Sequence, residues 1–185
     1  MAKTPSTMIP LGTPFPHFRL PDSSGNLFDT QELLSSSPQA VVVMFICNHC
    51  PYVKHIAKAI ALVTAQMLEH RGVYVFGINS NDISRYPEDG PEKMKIESER
   101  LGYPFPYLLD ESQGVAQSFR AACTPEFYLF DRNLKLAYRG QFDSSRPQNH
   151  IEPTGSELWA AFLDVIKGTI PSSDQQPSIG CNIKW

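Results

Sequence analysis

Seven consecutive apolar residues, Ala40-Val41-Val42-Val43-Met44-Phe45-Ile46, stand between Pro38 and Cys47. The run falls far short of the ~18 residues of a membrane span and is rich in β-branching, so it predicts a strand buried on both faces. Such strands lie at the centre of parallel or mixed sheets. From Pro51 the period changes: Val53, Ile56, Ala57, Ile60, Val63, Thr64 and Met67 recur at three- and four-residue steps. This predicts an amphipathic helix ending near Arg71-Gly72. Val73 to Asn79 then predicts a second buried strand, which makes 40–79 a right-handed βαβ unit.

The remaining elements arrange themselves around that unit. Phe18-Arg19-Leu20 and Leu27-Phe28 flank Asp22-Ser23-Ser24-Gly25-Asn26 and predict a small hairpin laid against the core. A helix is expected over Pro91 to Leu101, with Pro91 at its first position. A short extended piece follows at 107–109 and a short helix at 115–119. Two strands, 126–131 and 134–140, form an antiparallel hairpin, and a last helix covers about Gly155 to Ile166. The expected fold class is α/β: a central mixed β-sheet flanked by helices, with an N-terminal β-hairpin extension. A chain of 185 residues fits a single domain, 1–170, followed by a Pro/Ser/Gln-rich tail, 171–185, that carries Cys181.

Charge and cysteine usage narrow the function. The net charge is −3 with no Lys/Arg block, so nucleic acid is not an expected partner. No membrane association is expected, and Met1 to Thr7 lack the apolar stretch of a secretory signal, so the expected location is cytoplasmic. Four cysteines, at 47, 50, 123 and 181, are too few for a disulfide scaffold. Two of them form Cys47-Asn48-His49-Cys50-Pro51 at the junction of the buried strand and the helix. The end of a buried strand is where the site of such a sheet is expected.

A helix N-terminus stabilises a thiolate through its free N–H groups and dipole, so this spacing points to a redox pair. His49, when protonated, and Lys54 would add to that effect. The bland alternative is two buried cysteines packed as small hydrophobes. Which sulfur attacks stays open. A helix starting at Cys47 makes Cys47 the nucleophile and Cys50 the buried resolver; Pro51 at the first helical position makes Cys50 the N-cap and the better stabilised thiolate. His55 flanks the site with His49, and both are candidate tuning residues or solvated helix-start residues. Glu88-Asp89 and Glu97 to Arg100 read as solvated surface.

Cys123-Thr124-Pro125 directly precedes the strand 126–131. With Cys47-x-x-Cys50-Pro51, Gly12-Thr13-Pro14-Phe15-Pro16-His17-Phe18-Arg19-Leu20 and the end Pro177-Ser178-Ile179-Gly180-Cys181-Asn182-Ile183-Lys184-Trp185, it resembles a peroxiredoxin-like branch of thioredoxin-family proteins, within the alkyl hydroperoxide reductase/thiol-specific antioxidant superfamily. The resemblance implies a thioredoxin-like fold and a cis Pro125 packed on the Cys-x-x-Cys. It implies further that Thr124 offers its backbone to an extended substrate, and that Cys50 holds the place of a peroxidatic cysteine. Cys123 is then either an auxiliary thiol or a small core residue. The peroxiredoxin pattern P-x-x-x-T/S-x-x-C is not kept: Val43 and Cys47 stand at its proline and hydroxyl positions, and Pro125 stands where its arginine is expected. Peroxide oxygens would therefore lack their donors.

Three readings follow. The first is a thiol-disulfide oxidoreductase cycling Cys47 and Cys50, with protein or small-molecule disulfides and thiols as partners and an electron donor the sequence does not identify. The second is an antioxidant thiol peroxidase with Cys50 as sulfenic acid and Cys47 or Cys181 as resolver. The third is a non-catalytic metal carrier or sensor using Cys47, His49, Cys50 and either Cys123 or Cys181. No cofactor motif is read. Cys181 is either a solvent-exposed thiol on a frayed end or, if Ile179, Ile183 and Trp185 pin the tail, a resolving or auxiliary cysteine.

Overall fold

In the computed structural model, which describes residues 3–185, the central sheet is built from five strands. Met1 and Ala2, the start of the N-terminal segment read above, lie outside the described residues. The elements in chain order are β1 (Lys3–Pro5), β2 (Arg19–Pro21), β3 (Leu27–Asp29), α1 (Glu32–Ser36), β4 (Ala40–Phe45), α2 (Pro51–Leu68) and β5 (Val73–Asn79). A short 3-10 helix (Pro87–Asp89) and α3 (Pro91–Leu101), β6 (Tyr107–Leu109) and α4 (Gly114–Ser118) follow. The chain continues through β7 (Cys123–Thr124), β8 (Glu126–Phe130), β9 (Leu136–Gly140), α5 (Ser156–Lys167) and β10 (Ile179–Asn182).

The central order is β6-β5-β4-β8-β9. β4 pairs parallel with β5, β5 parallel with β6, and β8 antiparallel with both β4 and β9. The mixed sheet read from the sequence is therefore present, with β4 at its centre. All six residues of β4 are buried, and successive side chains point to opposite faces. Val42 and Met44 join Ile56, Ile60, Leu158 and Phe162 on the side of α2 and α5. Val41, Val43 and Phe45 join Phe15, Phe18, Phe119 and Phe130 on the other. The N-terminal hairpin β2–β3 packs there too, with Leu20 and Phe28 against that second cluster.

α2 stops at Leu68, short of the expected Arg71-Gly72. Gly72 instead serves the turn into β5, at φ +75°, a left-handed conformation that glycine adopts without penalty. The tail diverges most from a frayed end. Residues 179–182 form β10, which pairs antiparallel with β1 on one side and β7 on the other. Ile183 is buried in the second cluster, whereas Trp185 is exposed and does not pin the tail. Ser6 N donates to Ser178 O, Ile183 N to Ala122 O, and Lys184 N to Asn81 Oδ1. A buried backbone needs its polar groups paired, and these bonds supply that along the strand.

Candidate active site

The site lies beyond the carboxyl ends of β4 and β5. Proline at the first helical position costs no hydrogen bond, because that N–H has no intrahelical partner in any residue. Accordingly α2 starts at Pro51 and Cys50 is its N-cap, with extended backbone. Of the two starts open from the sequence, the structure takes this one. Cys47 is then not in the first turn of α2, as a thioredoxin-type start would have it. It sits in the link between β4 and the helix.

Cys47, Cys50, Cys123 and Cys181 are all buried, and none is in a disulfide. Cys50 Sγ lies 2.9 Å from Cys181 Sγ and 3.2 Å from the Thr124 carbonyl oxygen. Cys47 Sγ lies 3.3 Å from Thr124 Oγ1. Thr124 thus meets one cysteine through its side chain and the other through its backbone, and the Thr124–Pro125 peptide bond is cis. Hydrogen bonding from the Cys181 thiol, then from the Cys47 thiol, pulls the Cys50 thiol far below its ordinary pKa; burial opposes this and the Val53 N–H supports it. Burial pushes Cys47 well up, with the Cys50 thiol and the Asp89 carboxylate adding to the effect. The two members of the Cys-x-x-Cys are thereby driven apart in acidity, the pattern expected where one is nucleophile and the other resolver.

Asp89 is the residue the sequence reading missed. The sequence pattern puts it on a solvated surface, yet it is fully buried, while its neighbour Glu88 is exposed. Its Oδ1 accepts from the backbone N–H of Asn48 and of His49 at 2.8 and 3.2 Å. Its Oδ2 lies 2.6 Å from His49 Nδ1 and accepts from Asn81 Nδ2 at 2.8 Å. A buried carboxylate is tolerable only with such partners. The asparagines at and just beyond the end of β5 are the available signal: Asn79 Nδ2 holds the Asp89 carbonyl and Asn81 its side chain. His49 stacks on Tyr86 with ring centroids 5.1 Å apart, and its Nε2 has no partner among the described residues.

The other candidates separate. Lys54 and Pro51 are exposed on α2, and His55 is half-buried. The Cys123 thiol lies at the Pro125 carbonyl and Glu126, at 3.7 and 3.8 Å. Burial, then Glu126, pushes its pKa far up. The metal set read from the sequence is not the one assembled. Among the described residues, Cys47, His49 and Asp89 bring a sulfur, a ring nitrogen and a carboxylate oxygen within 4.8 Å of one another. Both Asp89 oxygens already accept N–H groups there.

The sequence profile of the AhpC/TSA family matches residues 11–139. Among solved structures, an uncharacterized conserved protein from Geobacillus kaustophilus is 48% identical, with a TM-score of 0.95 over 100% of this chain and 97% of that one. A hypothetical protein from Sinorhizobium meliloti is 47% identical, with a TM-score of 0.94 over 98% of each chain. A thiol:disulfide interchange protein of the thioredoxin family from Chlorobium tepidum is 15% identical, with a TM-score of 0.62 over 85% of this chain and 96% of that one. At that identity the likeness speaks for the fold, which is thioredoxin-like. No curated protein matches the sequence significantly. No helix among the described residues is long and apolar enough to cross a membrane.

Proposed function

The chain belongs to the AhpC/TSA family, and from that premise we propose that it is a thiol-disulfide oxidoreductase acting through Cys47 and Cys50. The observation that carries the reading is the placement of the two thiols on one threonine: Cys50 caps α2 with its sulfur at the Thr124 carbonyl, and Cys47 lies in the preceding link with its sulfur at the Thr124 hydroxyl, an arrangement that pulls Cys50 down and pushes Cys47 up. Cys50, the acidic member, is the nucleophile. Its thiolate attacks one sulfur of a disulfide, forms a mixed disulfide and expels the other sulfur as a thiolate. Cys47 then attacks the Cys50 sulfur, closes the Cys47–Cys50 disulfide and releases the second thiol. Its proton is taken up by His49, which Asp89 holds beside it. Run backward with an external thiol, the same steps reduce the pair.

Family membership also raises peroxide reduction, with Cys50 as the reacting sulfur. The contacts of Cys50 argue against a fast reaction of that kind. They are two thiols, a carbonyl and the backbone N–H groups of Val53 and Cys181, with no guanidinium among the described residues. Protein or small-molecule disulfides therefore suit the site better than peroxide.

The test uses Cys181→Ser, which leaves only the proposed pair at the nucleophile. After mild oxidation by oxidised glutathione, peptide mapping by mass spectrometry is expected to find Cys47 linked to Cys50. If both stay open to alkylation, the reading is wrong.

A further inference from the structure

An extended peptide is commonly bound by adding a strand to a free sheet edge, where main-chain hydrogen bonds give affinity and alternate side chains give selectivity. In this protein the paired edge of β7, beside the sulfurs, is filled by the chain's own β10. The strands run antiparallel, with Cys181 opposite Thr124 and Asn182 opposite Cys123. That register sets Cys181 Sγ 2.9 Å from Cys50 Sγ. The residue before it, Gly180, packs on the Thr124 carbonyl so closely that a Cβ would stand 2.0 Å from the oxygen. β10 thus presents a sulfur to the nucleophile and a shape requirement next to it.

We propose that Ile179–Asn182 is a built-in substrate strand: it occupies the subsite of an extended peptide with glycine before its cysteine, and Cys181 resolves mixed disulfides at Cys50. The proposal rests on Cys50 being the nucleophile. The step balances with a disulfide RSSR as oxidant. Cys50 thiolate attacks RSSR, giving Cys50–S–S–R and RS⁻. The Cys181 thiol then loses its proton to RS⁻ and attacks the Cys50 sulfur, giving the Cys50–Cys181 disulfide and a second RS⁻, which is protonated from solvent. A bond to Cys181 excludes a bond to Cys47, so the two are alternative oxidised states. Because Cys50 and Cys181 are both buried, an external peptide reaches Cys50 only when β10 lifts, and the Cys50–Cys181 bond holds it down.

The probe is the peptide Ile-Gly-Cys-Asn carried as its mixed disulfide with thionitrobenzoate, added to reduced full-length protein and followed by mass mapping. In Cys47→Ser the expected product is the Cys50–Cys181 disulfide with free peptide; in Cys47→Ser/Cys181→Ser it is a lasting Cys50–peptide adduct. An adduct that lasts equally in both would overturn the resolving role. On the double variant, Ile-Gly-Cys-Asn is expected to react faster than Ile-Val-Cys-Asn, and equal rates would overturn the subsite. Gly180→Val, folded by circular dichroism, should form the adduct about tenfold faster, as a site open a tenth of the time does when held open. An unchanged rate would likewise overturn the proposal. Failure of Cys50 to react in every variant would remove its premise, which the Cys47–Cys50 mapping in Cys181→Ser reads separately.

Discussion

The Asp89 carboxylate holds His49 Nδ1 at 2.6 Å and, through its other oxygen, the backbone N–H groups of Asn48 and His49. One buried side chain therefore fixes both the loop between the cysteines and the ring beside Cys47. Its charge also contributes to raising Cys47.

Asp89→Asn keeps the shape and removes the charge, so the Cys47 pKa is expected to fall. The resolving step should slow all the same, because His49 loses the partner that orients it. Rapid-mixing measurements that separate mixed-disulfide formation from its resolution are expected to show the second step alone slowed. Asp89→Ala leaves buried donors unpaired and is expected to cost about 1–3 kcal/mol per unsatisfied group in denaturant unfolding.

Cys50 is expected to be the thiolate of the reduced protein at neutral pH. Ultraviolet thiolate absorbance should disappear in Cys50→Ser and persist in Cys47→Ser. Cys181→Ala removes the first cause of the lowered pKa, so the titration should move upward. The linked stability has a definite sign. With its folded pKa depressed, Cys50 contributes stability that is complete above the ordinary value of 9.0 and is lost as pH falls through the folded value.

Disulfide exchange should outrun peroxide reduction. Loss of one donor to a developing oxyanion costs about 10²–10³ in rate, and the contacts of Cys50 include neither a hydroxyl nor a guanidinium. Stopped-flow thiol loss with hydrogen peroxide and with a small disulfide gives the comparison. Peroxide consumption that is the faster of the two, survives Cys47→Ser and vanishes in Cys50→Ser would make the protein a peroxidase.

Phe119 is fully buried, with ring centroids 5.4 to 6.0 Å from Tyr128, Phe45, Phe15 and Phe130. Phe119→Ala is expected to cost about 3–5 kcal/mol by denaturant unfolding. It lies in the cluster on the far side of the sheet from α2, so the cysteine chemistry of the folded variant should be retained.

What could be read from the sequence follows from locality. The burial of β4 and the period of α2 are set by neighbours along the chain, so pattern reveals them, whereas the choice between a helix start at Cys47 and one at Pro51 is made only in the folded chain. Asp89 and Cys181 are not local in that sense. The Asp89 carboxylate is buried by residues some forty positions away in sequence, and Pro87-Glu88-Asp89-Gly90 by itself reads as a turn. The tail has the composition of a solvated end. Its strand exists because β1 and β7 hold an edge open for it on either side, which no periodicity within residues 171–185 announces.

The sulfur contact at the centre of the site joins residues 131 positions apart. On a ribosome, which makes about 5–20 residues per second, Cys47 and Cys50 emerge long before β10 exists. For that interval the Cys-x-x-Cys of the nascent chain has neither its cover nor its third thiol, and any disulfide-bearing molecule nearby can react with it. The Cys50–Cys181 contact becomes possible only once Ile179–Asn182 has emerged, so the newborn chain passes through a stage in which its redox pair lacks the strand that later packs on it.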